Sequence, residues 1–207
     1  MLKKTTLAIT LICANHAFAA DTNFDNFTPL TTSAGPTSTP ATPLTLGNSN
    51  WSQMTIADRA TQNILSPGSN SGNWDMIDAD ASGRYLFMPF ETSTGGVQRV
   101  DLQDSNYNTR TTTIVAPGTQ GFVSGDASRI APWGGYLTAE ESWGTGSTKG
   151  RLFEVTNPTT ATANNGNFVQ RSIIPRVSHE GLAFDAFKNL YFEIGRASCR
   201  ERVSPRV

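Results

Sequence analysis

The chain has 207 residues, 16 Lys+Arg against 17 Asp+Glu, and a formal net charge of −1. That balance excludes the basic stripe on which nucleic-acid and anionic-membrane partners depend. Two cysteines, Cys13 and Cys199, are too few and too far apart for a disulfide framework, and no stretch is apolar and long enough to span a bilayer.

The chain opens M-L-K-K-T-T-L-A-I-T-L-I-C-A-N-H-A-F-A. Lys3 and Lys4 form a basic n-region, Leu7 to Ala14 a short apolar h-region, and Ala17-Phe18-Ala19 a small-residue cleavage site. Residues 1–19 therefore read as a secretory signal peptide, which places the protein in the periplasm or outside the cell. No twin-Arg pair is present, so the general secretion route is expected. The far end, Ile194 to Val207, breaks in composition, with four Arg in fourteen residues. Residues 194–203 resemble the translation of a sequencing-library adapter. Residues 194–207 are accordingly read as non-native, with the natural sequence cut off after Glu193. On that reading residues 20–193 contain no cysteine and carry 10 Lys+Arg against 16 Asp+Glu, a net charge of −6. An acidic exported chain suits multivalent cations.

Residues 20–50 are rich in Thr, Pro and Ser and read as a linker that buries little. Asn26 begins an N-F-T glycosylation match. A short helix is predicted around Gln53 to Gln62. From Asn73 onwards the pattern is all-β. Trp74 to Ala79 alternates, Asp80-Ala81-Ser82-Gly83 is a turn, Tyr85 to Phe90 is a strand ending at Glu91, and Val97 to Leu102 alternates again. The same grammar returns with Arg129 to Trp133, a Gly134-Gly135 turn, Tyr136 to Glu141, and Arg151 to Val155. A third round begins at His179 to Asp185 and continues with Asn189 to Glu193.

Tyr85 and Tyr136 are 51 positions apart, Tyr136 and Leu190 54. A degenerate repeat of several short strands predicts a β-propeller fragment over residues 51–193, with about three blades present. An ordinary β-sandwich is the alternative.

Each round places an acidic residue at a strand end: Glu91, then the adjacent pair Glu140 and Glu141, then Glu180. Strand alternation sends adjacent side chains to opposite faces, so one of the pair should turn inward, with Glu141 favoured. An inward carboxylate needs a cation, either a metal ion or an Arg or Lys. In a propeller the innermost strands line one axis, so these strand ends can converge there. Glu140 or Glu141 with Glu180, and more weakly Asp126 and Glu91, are the candidate metal ligands. Calcium, which takes six to eight oxygen ligands, fits such a set, and ferric iron also accepts carboxylates. His179, next to Glu180, is a candidate substrate contact, base or ligand. A lone histidine in residues 20–193 argues against a His-based zinc site. There is no G-x-S-x-G, P-loop or dinucleotide fingerprint.

Three segments in order, A-P-W-G-G-Y-L-T-A-E-E-S, G-R-L-F-E-V and V-S-H-E-G-L-A-F-D, resemble the PhoX-type alkaline phosphatases. That family shows P-W-G-T-x-L-T-C-E-E, G-x-x-F-E-V and F-x-H-E. The passage G-R-Y-L-F-M-P-F-E-T with G-G-V-Q-R-V-D-L is similar to the family's earlier N-H-E and G-G-V segment. The resemblance spans about residues 73 to 193. It implies a six-bladed propeller, iron and calcium in its channel, carboxylates of these motifs as ligands, and hydrolysis of small phosphate esters by what is expected to be a monomer when complete. Two positions depart from the pattern. Asp126 stands where the family has a metal-binding Cys, and Pro89-Phe90-Glu91 replaces N-H-E. The departures bear on iron most, because a carboxylate does not reproduce a thiolate bond. A non-catalytic calcium-binding propeller that recognises a partner or glycan is the rival reading, and a sugar-lactone hydrolase on the same fold a third.

Overall fold

The structure is a computed structural model that describes residues 52–59, 61, 73–144 and 146–195. The segments read as signal peptide and linker, Asn26, both cysteines and residues 196–207 lie outside the described residues. The chain divides into two units, Met1–Met54 and Thr55–Val207, and every described strand belongs to the second.

The predicted helix is met only at its start. Arg59 and Thr61 are helical, and Asp58 caps the turn by accepting the Thr61 N–H at 2.8 Å. The rest of that segment lies outside the described residues. No described helix is long and apolar enough to cross a membrane.

The fold is all-β and antiparallel, as the alternation predicts. The first sheet holds β1 (Asp78–Ala79), β2 (Tyr85–Pro89), β3 (Val97–Asp101) and β4 (Thr111–Val115), in that order. The second holds β5 (Gly125–Ile130), β6 (Tyr136–Glu140), β7 (Leu152–Val155) and β8 (Phe168–Gln170), again in chain order. The third pairs β9 (His179–Phe184) with β10 (Leu190–Ile194). Consecutive meanders of this kind are how propeller blades are built. The strand β5 packs against β1 and β2 on one side and β9 on the other, so the first strands of successive sheets are neighbours.

The register makes the repeat explicit. Asp80, Ala131 and Asp185 each donate the backbone N–H that closes the first turn, to Tyr85, Gly135 and Asn189 respectively. Glu91, Glu141 and Gly195 each donate theirs back to the start of the same sheet, to Asn73, Ser124 and Ser178. These groups are therefore structural equivalents.

Alternation along the second sheet gives it two apolar faces. Tyr136, Phe153, Val155 and Phe168 face the first sheet and pack with Phe87, Val97, Ile114, Val115 and Phe122. Phe153 and Phe168 stack with centroids 4.5 Å apart, and Phe122 meets both edge-on. Leu137, Ala139 and Leu152 face the other way, toward Leu182 and Leu190 of the third sheet. The Tyr136 hydroxyl is satisfied inside the core by Ser128 Oγ at 2.9 Å.

Two outer strands, β4 and β8, were not predicted. Thr111–Val115 is β-branched but follows a polar loop, and Phe168–Gln170 is too short for a period to show. The strand expected at Arg129 to Trp133 lies earlier, at Gly125–Ile130. Pro132, Trp133 and Gly134 form the turn, where Gly134 takes φ 89 and its N–H bonds the Ala131 carbonyl.

Candidate metal centre

Asp75, Asp126 and Glu180 are repeat equivalents: each lies five residues ahead of its turn donor, Asp80, Ala131 and Asp185. Glu91 and Glu141 are equivalents at the ends of the second strands, where the third repeat has Gly195. One oxygen each from Asp126, Glu141 and Glu180 lies within 4.8 Å of the others. Glu91 is within hydrogen-bonding reach of Glu141 and Asp75, and Asp126 of Asp75. Five carboxylates thus converge from three successive sheets.

Local backbone geometry aims them. A bulge between Gly125 and Ser128 lifts Asp126 out of the β5–β6 ladder. Just before it, Ser124 is held at φ 43, a left-handed conformation unusual for a side-chain-bearing residue. Its N–H bonds the Thr92 carbonyl and its own carbonyl accepts the Glu141 N–H, which fixes Glu141 beside the bulge. A Cβ at Gly125 would lie 2.6 Å from the Phe122 ring and 2.9 Å from Pro89, so the strand approaches this closely only with glycine there.

Among the described residues, the cluster's carboxylates form no salt bridge. Asp126 is 5% exposed. Burial, then the charges of Asp75, Glu180 and Glu141, pushes its carboxyl up to about 8. Burial and the Glu180 charge raise Glu141, against a hydrogen bond from Trp143. Burial and the Asp75 charge raise Glu91. The guanidinium groups of Arg84, Arg129, Arg151 and Arg171 serve Asp101, Asp78, Glu140 and Glu154 instead.

Glu140 and Glu141 do point apart, but the one turned away from the cluster is not solvated. Glu140 is fully buried, and its two oxygens accept the Val123 and Arg151 backbone N–H groups and the Arg151 Nε and Nη2. With every lone pair engaged, the expectation that Glu140 is a metal ligand is corrected: it is the anion of a buried ion pair.

His179 is also corrected. It is the residue before Glu180 on β9, so alternation turns it to the opposite face, where it is fully buried against Phe192 at 5.6 Å. Neither ring nitrogen has a well-formed hydrogen bond. Burial lowers its pKa to about 4, although the Glu140 charge and the Gly150 backbone favour the protonated form. A sealed, neutral ring does not touch substrate.

Asp75 was missed by sequence reasoning. It sits ahead of a two-residue strand in W-D-M-I-D-A-D, where three aspartates obscure the period. Counting back from the turn, as for Asp126 and Glu180, would have found it. Comparison with family models and with curated protein sequences gives no match.

Proposed function

We propose that the carboxylate cluster binds calcium beside the axis of a propeller. On this reading the protein is an exported, metal-dependent phosphomonoesterase resembling the PhoX-type alkaline phosphatases. The observation that carries it is the convergence of repeat-equivalent carboxylates around Asp126, which is buried and has no salt bridge to a basic group among the described residues. Asp126, Glu141 and Glu180 would hold the ion, and Asp75 and Glu91 would complete or border its shell. Oxygen-only donors suit calcium. They offer iron neither thiolate nor imidazole, since Asp126 takes the cysteine position and His179 faces away. When bound, the cation supplies charge that polarises a phosphoryl oxygen. Glu91, Glu141 and Glu180 are only half-buried, so a small phosphate ester would approach past them. Trp143, 48% exposed, holds Glu141 in orientation by its hydrogen bond.

A second reading, a non-catalytic calcium-binding propeller, is favoured by one feature: the sole described histidine is sealed in the core. Calorimetric titration with calcium, then turnover of a chromogenic phosphomonoester with calcium and with iron, separates the two. Calcium binding that Glu180→Gln weakens about tenfold or more, together with turnover, supports the enzyme; each lost ligand oxygen matters at such sites. Binding without turnover leaves the second reading. No calcium binding removes both.

A further inference from the structure

Trp143 stands two residues after Glu141, beyond the end of β6, and reaches back to the carboxylate cluster. Its indole N–H donates to Glu141. Its far edge lies beside Glu180: Cη2 is 2.5 Å from the point a Cβ on Gly195 would occupy, and Glu180 Oε1 crowds the same point. The ring thus runs from a candidate ligand of the second sheet to one of the third. Its backbone is anchored on both sides. The Ser142 N–H bonds Ser178 Oγ at 2.9 Å, the Ser142 and Ser147 hydroxyls pair at 2.7 Å, and the Ser147 N–H closes a turn onto the Gly144 carbonyl at 2.9 Å. Yet the side chain stays 48% exposed. A large apolar ring that is held in place and half open to solvent, at the edge of a charged site, is a pre-organised contact surface.

We infer that Trp143 is a specificity-determining residue, and that it selects phosphate esters whose leaving group carries an aromatic ring directly on the ester oxygen. The inference rests on the phosphomonoesterase reading above. A phosphoryl group drawn to the cluster brings its ester oxygen into the neighbourhood of the indole, because the ring borders two of the three candidate ligands. A phenyl group attached there can stack on the indole or meet its face edge-on, which a saturated ring of the same size does less well. A nucleobase is held away from its phosphate by a ribose and would overshoot the ring. A small polyol such as glycerol offers hydroxyls that the indole cannot serve: its one polar group is a donor, already engaged by Glu141.

The test uses the whole chain loaded with calcium and two phosphonates that are not hydrolysed, phenylphosphonate and cyclohexylphosphonate. They have the same number of carbons, but only the first is flat. Calorimetry should show phenylphosphonate binding about fivefold or more tightly. Trp143→Gln, which keeps a donor for Glu141 and removes the ring, should bring that ratio close to one. Trp143→Phe, which keeps a flat face and removes the donor, should retain most of the ratio while calcium affinity falls. The turnover preference for phenyl over cyclohexyl phosphate should shift by the same factor in Trp143→Gln; comparing variants cancels the intrinsic advantage of a phenolate leaving group. A second measurement stands even where the variants bind calcium poorly: in the unsubstituted chain, phenylphosphonate should quench tryptophan emission saturably, and more at saturation than cyclohexylphosphonate. If the two phosphonates bind the unsubstituted chain equally, or Trp143→Gln weakens both by the same factor, Trp143 acts only through Glu141, and the inference falls while the phosphomonoesterase reading stands. If neither phosphonate binds and neither ester is turned over, that reading falls and takes the inference with it.

Discussion

The second sheet is buried on two faces by different means. Toward the first sheet it is closed by aromatic rings packed across the full width. Toward the third it is closed near the axis by smaller Ala and Leu side chains, with an apolar cavity outside them. The acidic cluster draws Asp126 and Glu141 from the second sheet and Glu180 from the third, so it spans the half-open interface. Both interfaces meet carboxylates at their inner ends, since Asp75 and Glu91 join the cluster from the first sheet, but the first is also backed by an aromatic core and by bonds such as Arg129–Asp78 and Ser128 Oγ to the Phe87 carbonyl. The difference shows how one repeated meander can pack aromatic rings on one side and smaller side chains beside a cavity on the other.

The largest way to break the contrast is to empty the closed face. Phe153 is fully buried and packs against Phe122 and Phe168, so Phe153→Ala should cost about 3–5 kcal/mol in urea unfolding. Leu152→Ala, next to it but facing the cavity, should cost about 2 kcal/mol, at the low end of its class, because contacts on one side are already missing. Equal losses would show that the two faces are equally well packed.

The buried ion pair comes next. Glu140→Gln leaves Arg151, whose side chain is 11% exposed, without its anion; the loss should be about 3 kcal/mol by the same assay. The Arg151 guanidinium also bonds the Gln120 and Gly121 carbonyls, which limits the damage. Calcium affinity should not change, because Glu140 faces away from the cluster. A drop in affinity with no drop in stability would reverse the assignments of Glu140 and Glu141.

How much of this could be read from the chain alone turns on period and on neighbours. The strands β2, β3, β6, β7 and β9 were legible because alternation and Gly-rich turns coincide there. The bulge that moves β5 earlier was not, since it depends on Phe122 and Pro89 packing against Gly125 across sheets. The separation of Glu140 from Glu141 followed from alternation. What each carboxylate meets did not, because Arg151 is a cross-strand neighbour whose approach no local pattern encodes. The repeat register adds a reason: Glu140 occupies the place of Phe90, an apolar core position in the first sheet. A charge at a core position requires a partner, and Arg151 meets that need.

A smaller effect sharpens the comparison at the inner end. With Asp126 raised to about 8 in the fold from an ordinary 3.8, the folded state holds the extra proton. Stability without metal should therefore fall as pH rises from about 4 to about 8. His179 acts from the other side: lowered to about 4 from 6.5, it removes stability as pH falls through that window. Between about 4 and 6.5 the two slopes oppose and roughly cancel, so metal-free stability should be nearly flat there and fall from about pH 6.5 to about 8. A bound cation replaces the Asp126 proton, so calcium should bind more tightly at pH 8.5 than at pH 6. Calcium at about 100 times its Kd should stabilise by about 2.7 kcal/mol at the higher pH, measured by melting with and without chelator. Asp126→Asn should flatten the alkaline limb. If the limb persists in that variant, the proton is held elsewhere.

The smallest effect is expected at the rim of the cavity. Ile173 is 82% exposed, beside Ile174, which is 7% exposed and belongs to the core between the second and third sheets. An exposed apolar side chain gains little from folding, so Ile173→Ser should change stability by no more than about 0.5 kcal/mol in the chain as it stands. Ile174→Ser should cost several times as much, because it both removes buried area and buries a hydroxyl. Equal, near-zero costs at both positions would show that Ile174 is not packed between the second and third sheets.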